Sequence, residues 1–151
     1  MYLTLLTLHS FMRWVVLAGL LLGLFRAYRG WLGGHTFSPL DNTTRHTAAT
    51  LAHVQLLLGF GLYAVSPVVG TFHLRDAEHT PGTLFFGLLH ALLMVTAIVV
   101  LTVGSALAKR RTDDLARFRT MALWFTAALL LMLLAVPWPF SPLASRPYFR
   151  F

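Results

Sequence analysis

Four long runs of apolar residues, joined by short polar connections, constrain this chain more than any other feature. The runs cover approximately residues 3–25, 47–65, 83–108 and 120–136. Each is close to the roughly 20 residues that a helix needs to cross a hydrocarbon core about 30 Å thick. Only 11% of the 151 residues are charged, whereas an average soluble domain has about 25%. We therefore expect an all-α integral membrane protein, with a single domain of four transmembrane helices.

The distribution of basic residues predicts how these helices are oriented. The second connection contains only Arg75, whereas the first and third connections contain Arg26, Arg29, Arg45, Lys109, Arg110, Arg111, Arg117 and Arg119. Basic connections stay on the cytoplasmic side of a membrane. Short connections also favour an up-down-up-down four-helix bundle. We therefore expect both termini outside and a multi-pass protein of the bacterial inner membrane.

Local signals predict where some helices begin and end. The stretch at residues 30–40 is rich in Gly and Pro and is expected to connect the first two helices. Asp41 is the expected N-cap of the second helix, because a carboxylate can accept free backbone N–H groups. The Ser66-Pro67 pair and Pro137 are expected to end the second and fourth helices.

Composition also excludes several classes of function. The net charge of +7 does not indicate nucleic-acid binding, because the basic residues lie beside the apolar runs and there serve topology and contacts with anionic lipid. The absence of cysteine excludes disulfides, thiolate-bound iron–sulfur clusters and covalently attached haem. All acidic residues lie in the connections, which argues against a carboxylate proton relay inside the membrane.

Three histidines inside the apolar runs, His9, His53 and His90, are the strongest indication of chemistry. Histidine in hydrocarbon is costly and usually faces a cavity or a ligand, and neutral imidazole is a common metal ligand. His9 and His90 lie about six or seven residues into helices that both run inward, so both are roughly 10 Å below the outer edge of the hydrocarbon. We expect them to meet across the bundle as the axial ligands of a b-type haem.

His53 and Arg13 are the other candidate cofactor residues. His53 lies nearer the inner leaflet, where it is a candidate ligand of a second haem or metal ion, or a contact for quinone. Arg13 follows His9 by four residues and therefore shares its helix face. A haem propionate, a quinone or a lipid head group is its expected partner, because arginine at this depth needs one.

Gly82 and Gly87 are expected to leave room for a macrocycle beside His90. The structural alternative is that the histidines make packing contacts and interhelical hydrogen bonds.

Three segments of the chain resemble short bacterial four-helix membrane proteins that are loosely labelled cytochrome-b-like. The segments are L-H-S-F-M-R-W at residues 8–14, A-H-V-Q-L-L-L-G-F-G-L-Y at 52–63 followed by Ser66-Pro67, and P-W-P-F at 137–140. The resemblance spans nearly the whole chain and implies a haem or quinone role, carried by His9, Arg13, His53, Gln55 and His90. In that family the third histidine follows an acid, whereas Leu89 precedes His90 here.

Taken together, the sequence predicts a small b-type haem protein that transfers electrons, with one haem or two and with quinone as a candidate partner. An electron-transfer protein is favoured over a stand-alone enzyme. The alternative is a non-enzymatic accessory or assembly subunit of a larger membrane complex that binds no cofactor. Association with a respiratory complex or with further copies of the chain is compatible with either hypothesis.

Overall fold

A computed structural model describes residues 1–71, 81–141, 144 and 146–148. The described part is helical and contains no strand. Four helical stretches are long and apolar enough to cross a membrane, which confirms the all-α class and fits a multi-pass protein in a lipid bilayer. Arg75, on which part of the topology prediction depends, lies outside the described residues.

The described ranges contain seven helical elements. They are α1 (Tyr2–Gly33), α2 (Pro39–Val65), α3 (Pro67–Gly70), α4 (Pro81–Leu84), a π-helical segment (Phe85–Leu89), α5 (His90–Arg110) and α6 (Asp114–Ala135). The third membrane-crossing stretch joins α4, the π-helical segment and α5 without a break. The helices extend well beyond the apolar runs of the sequence at the end of α1, at the start of α2 and at the start of α6.

The start of α2 differs from the prediction. Ser38, not Asp41, is the N-cap, and the two residues form a capping box. The Ser38 hydroxyl accepts the Asp41 amide N–H at 3.3 Å, and the Asp41 carboxylate accepts the Ser38 amide N–H at 2.9 Å. Pro39 occupies the first helical position, which needs no backbone N–H. The predicted N-cap was wrong because Asp41 is the third helical residue of this box.

The predicted helix ends are confirmed at two positions. Ser66 is the C-cap of α2, and α6 ends at Ala135, just before Pro137. At its other end α6 begins earlier than expected, because the carboxylate of Asp113 caps it by accepting the Ala116 amide N–H at 2.7 Å.

The long helices pack in a ring, in which α1 contacts α2 and α6, and α5 contacts the same two helices. Arg26, near the end of α1, pairs with Asp41, near the start of α2, at 2.7 Å, and Gln55, in the second half of α2, donates to the carbonyl of His9. Small residues allow close approach: Gly30 lies under the Phe118 ring, and Gly104 lies against Trp124. The interior between the helices is closed by apolar side chains, including Leu20, Leu101, Met121, Phe118 and Phe125.

Candidate functional site

A mainly apolar cavity of about 170 Å³ lies at the end of the bundle where α1 begins and α6 ends. Its walls come from α1, α2, α3, α5, α6, the π-helical segment and the C-terminal tail. The polar side chains that line it include His9, Ser10, Arg13, Gln55, Tyr63, Ser66, His90 and Arg146. The structure thus brings together three of the four residues proposed from sequence for cofactor binding, namely His9, Arg13 and His90.

His9 and His90 lie side by side in the wall of this cavity. Their ring centroids are 6.4 Å apart, and the ring planes meet at 70°. The helical rise had placed both residues at the same depth, and the packing of the bundle now places them on facing surfaces. Two imidazoles can therefore act on one ligand between or beside them.

The end of α6 orients the His90 ring. The Nδ1 atom of His90 is 2.7 Å from the carbonyl oxygen of Ala135, the last residue of α6. Because a carbonyl can only accept, Nδ1 carries the proton, and in neutral imidazole the Nε2 atom keeps its lone pair. A second-sphere hydrogen bond of this kind is typical of metal-ligating histidines, since it holds both the tautomer and the direction of the ring.

His9 is held through its backbone, while its ring has an unused nitrogen. The His9 carbonyl accepts a hydrogen bond from the Gln55 side-chain amide at 3.0 Å, which joins α1 to α2. The Nδ1 atom of His9 is buried and has no hydrogen-bond partner among the described residues. The ring lies against Gly59, where an added Cβ would be 3.3 Å from Cε1. A buried nitrogen without a partner is uncommon in folded proteins and is consistent with a ligand site.

The π-helical segment lies directly before His90 and was not predicted. The His90 amide N–H bonds to the Phe85 carbonyl, five residues earlier, and the Tyr63 hydroxyl donates to the Gly87 carbonyl at 2.7 Å. π-Helical turns are rare and occur frequently at functional sites. The two glycines expected to make room for a macrocycle, Gly82 and Gly87, do not line the cavity, whereas Gly59 does.

Two arginines reach the cavity from different parts of the chain. Arg13 donates from Nη2 to the Tyr148 carbonyl, and its guanidinium is 5.4 Å from the Trp14 ring centroid. Arg146, in the C-terminal tail, lies 5.2 Å from the Phe86 ring centroid. The Nε atoms of both arginines are buried and have no partner among the described residues. Arg146 was not predicted as a site residue, because a tail residue has no helical periodicity that could assign it to the cavity.

His53 lies apart from the pair. Its exposed side chain faces α5, where Nε2 is 3.1 Å from the Thr102 hydroxyl oxygen. Thr102 is twelve residues beyond His90, or roughly 18 Å along the helix. Gln55, two residues after His53, faces the cavity instead. The structure therefore gives His53 an interhelical hydrogen bond and places it outside the cavity.

No protein family model, curated protein or solved structure matches this chain. Its function therefore has to follow from the chemistry of the cavity.

The two histidines suit a metal that brings most of its own ligands. Structural and catalytic zinc sites use three or four protein ligands, whereas no group of three or more His, Cys, Asp or Glu residues capable of holding a metal occurs within the described ranges. Haem iron needs only axial ligands, because the macrocycle supplies the rest. Metal–imidazole bonds of about 2.0–2.1 Å put the centroids of two opposed imidazoles roughly 6 Å apart, close to the observed 6.4 Å.

Proposed function

We propose that this protein is a small b-type haem protein that transfers electrons in the membrane, with His9 and His90 as the axial ligands of one haem. The observation that carries the proposal is the pair of imidazoles 6.4 Å apart, in which the Ala135 carbonyl leaves the Nε2 atom of His90 free to bind metal. The unpartnered Nδ1 atom of His9 supports the same assignment.

The size of the cavity limits how a haem would fit. Its volume of about 170 Å³ is below the roughly 300–1,000 Å³ of pockets that enclose drug-sized ligands. The cavity is partly open, so a macrocycle between the histidines would extend beyond the enclosed part. Met94 in the wall has a flexible side chain that can make room. His9 and His90 therefore fit a haem as nitrogen ligands, and the tautomer of His90 suits this role. The cavity would have to widen to hold the macrocycle.

The chain would contribute orientation and electrostatics to this site. When bound, haem iron supplies a one-electron redox centre. His90 would be the stronger electron donor to the metal, because its Nδ1–H bond to Ala135 raises the basicity of Nε2. The apolar walls would lower the local dielectric constant, and Arg13 would compensate negative charge at the edge of the group.

We also propose an up-down-up-down topology with both termini outside, in the inner membrane of a bacterium. The opposed pairing of residues along neighbouring helices and the basic residues at the α1–α2 and α5–α6 connections support it. This topology places the cavity toward the outer face. A membrane quinone or a larger respiratory complex is the proposed redox partner, since either could reach the site through the membrane.

The first experiment is a visible spectrum of the detergent-purified protein, oxidised and then reduced with dithionite, together with a pyridine haemochrome count. We expect a Soret band and sharp reduced α and β bands, which the His9→Ala and His90→Ala variants lose. His46→Ala is the matched control, because His46 is exposed and lies outside the cavity. Retention of the full spectrum by either cavity variant would sink the bis-histidine assignment.

His53→Ala distinguishes one haem from two. We expect the variant to keep the wild-type ratio of haem to protein, because His53 contacts Thr102 and does not line the cavity. A fall in that ratio would show that His53 holds a second haem.

The accessory-subunit hypothesis is the second candidate, and a specific observation favours it. His90 and His53 each bridge two helices, through Ala135 and Thr102, as structural histidines do. A protein that stays colourless when haem is supplied during expression, and that co-purifies with a larger assembly, would support this candidate over the haem protein.

A further inference from the structure

We propose that Arg13 and Arg146 together form a carboxylate-binding site at the cavity, so that its ligand is an amphiphile with an apolar body and anionic groups. For a haem, those groups are its propionates. This inference rests on the proposed haem function and adds the C-terminal tail to the site, through a residue that the sequence did not indicate.

The two arginines lack carboxylate partners within the described ranges. The ion pairs found there are Arg26–Asp41 and Arg117–Asp114, both at the other end of the bundle. The described lining of the cavity contains no Asp or Glu. Two positive charges beside one apolar cavity repel each other and are expensive in hydrocarbon. An anionic ligand would remove both costs, whereas a neutral ligand would remove neither.

Each guanidinium has a buried Nε–H group without a hydrogen-bond partner among the described residues. The Trp14 ring lies beside the Arg13 guanidinium at 5.4 Å, and the Phe86 ring lies beside that of Arg146 at 5.2 Å. Aromatic contacts use the face of the planar guanidinium, while its five N–H groups point outward in the plane. The Tyr148 carbonyl takes a hydrogen bond from Nη2 of Arg13, and the Nε atoms of both arginines remain unpartnered. Each arginine therefore keeps at least one N–H donor that a carboxylate oxygen could accept, and such charge-assisted bonds are strong.

The C-terminal tail brings the second arginine to the site. The Tyr148 carbonyl accepts hydrogen bonds from Arg13 and from the indole N–H of Trp14, the latter at 3.4 Å. The Trp14 ring also lies 6.3 Å from the Tyr148 ring. These contacts hold the tail against α1, two residues after Arg146. The tail and α1 therefore supply one cation each to the same cavity.

The test compares iron protoporphyrin IX with its dimethyl ester, in which both propionates are uncharged. Each porphyrin is titrated into the full-length protein purified without haem, and binding is followed by the Soret band. We expect the free acid to bind at least about 10-fold more tightly, because a hydrogen bond to a charged group contributes about 1.5–3 kcal/mol and 1.4 kcal/mol is a factor of ten. Arg13→Gln and Arg146→Gln should each reduce this preference, and the double variant should abolish it.

Arg29→Gln is the control, because Arg29 is an exposed arginine at the other end of α1 and does not line the cavity. Circular dichroism and size-exclusion chromatography show whether each variant is folded. Equal affinity of the wild type for acid and ester would overturn the carboxylate site and leave the haem proposal standing. If the double variant still prefers the free acid over the ester, the carboxylate site is likewise overturned and the haem proposal stands.

If neither porphyrin binds, the haem proposal fails, and a fluorescent long-chain fatty acid and its methyl ester replace the porphyrins. A preference of the wild type for the acid that disappears in the double variant would then support the carboxylate site. Equal binding of acid and ester, or no binding, would overturn it.

Discussion

At the scale of single residues, Tyr63 is the side chain that supports the segment before His90. Its hydroxyl donates to the Gly87 carbonyl inside the π-helical segment, at 2.7 Å. Tyr28 makes a comparable bond of 2.8 Å with the Thr126 hydroxyl, between α1 and α6 and away from the cavity. Tyr63→Phe and Tyr28→Phe should therefore each destabilise the protein by about 1 kcal/mol.

The two tyrosine variants should differ at the site. Tyr63→Phe should alter the low-spin electron paramagnetic resonance signal of the proposed haem, because it loosens the backbone that carries His90, whereas Tyr28→Phe should leave that signal unchanged. Thermal unfolding measures the first effect, and the resonance spectrum measures the second. An unaltered signal in Tyr63→Phe would mean that the π-helical segment does not position the ring.

At this scale the sequence predicted that His9 and His90 lie at one level of the bundle, but it did not predict the surroundings of His53 or Arg146. A rise of 1.5 Å per residue is enough to place His9 and His90 at one level, and both lie in the same cavity. The face that His53 presents depends on how α2 rotates against α5, which no local pattern specifies. Arg146 could not be assigned for a related reason: its position depends on the tail contacts of Tyr148 with Arg13 and Trp14.

At the scale of helices, two acidic residues near helix starts should contribute very differently to stability. Asp41 is buried, accepts from Ser38 and pairs with Arg26 at 2.7 Å. Asp113 is exposed and caps α6 through the Ala116 amide. Asp41→Ala should cost about 3 kcal/mol, because it leaves a partly buried arginine unpaired. Asp113→Ala should cost about 1 kcal/mol.

Denaturant unfolding in detergent micelles gives both values for these aspartates. Similar losses for Asp41→Ala and Asp113→Ala would show that the Arg26–Asp41 pair adds nothing beyond the capping of α2.

The contact between α5 and α6 depends on Gly104. A Cβ added there would collide with the Cβ of Trp124, which cannot move without its helix, so Gly104→Ala must push the two helices apart. We expect a loss of about 1–3 kcal/mol. Gly70→Ala is the matched control, because nothing lies within 4 Å of a Cβ at that position. Melting temperatures by fluorescence-detected size-exclusion chromatography compare the two, and equal values would contradict the close packing.

Helix limits were harder to predict than helix number. Hydropathy marks the apolar zone, whereas the helices continue past it until a cap or a proline ends them. Polar capping groups start α2 at Ser38 and α6 at Asp113, both outside the apolar runs. The π-helical segment leaves no trace in hydropathy, because one extra residue in a turn does not change the composition.

At the scale of the whole molecule, the proposed topology can be tested directly, because the chain contains no cysteine. Single cysteines are introduced by Thr36→Cys in the α1–α2 connection, Thr112→Cys in the α5–α6 connection and Thr71→Cys after α3, all at exposed positions. With both termini outside, a membrane-impermeant maleimide added to intact cells should label only the Thr71→Cys protein. All three variants should react after the membrane is permeabilised. Labelling of the Thr36→Cys protein in intact cells would show that the topology is the reverse of the one proposed.

The class of the molecule followed from sequence because four apolar runs leave little chain for anything else. The order of the helices around the ring depends on close contacts such as Gly30 with Phe118 and Gly104 with Trp124. These contacts depend on shape, and hydropathy carries no information about them.

The π-helical segment has a consequence for how such a chain can change by insertion and deletion. A π turn contains one residue more than an α turn, so loss of a single codon between Phe85 and Leu89 would restore an unbroken α-helix. Because a π turn holds its extra residue as a local bulge, the helical residues on either side of the deletion would keep nearly their present faces. The hydrogen bond from Tyr63 to the Gly87 carbonyl lies within this bulge and would be the contact most affected. The extra residue therefore changes the local backbone path beside His90 and leaves the packing of the rest of the helix in place.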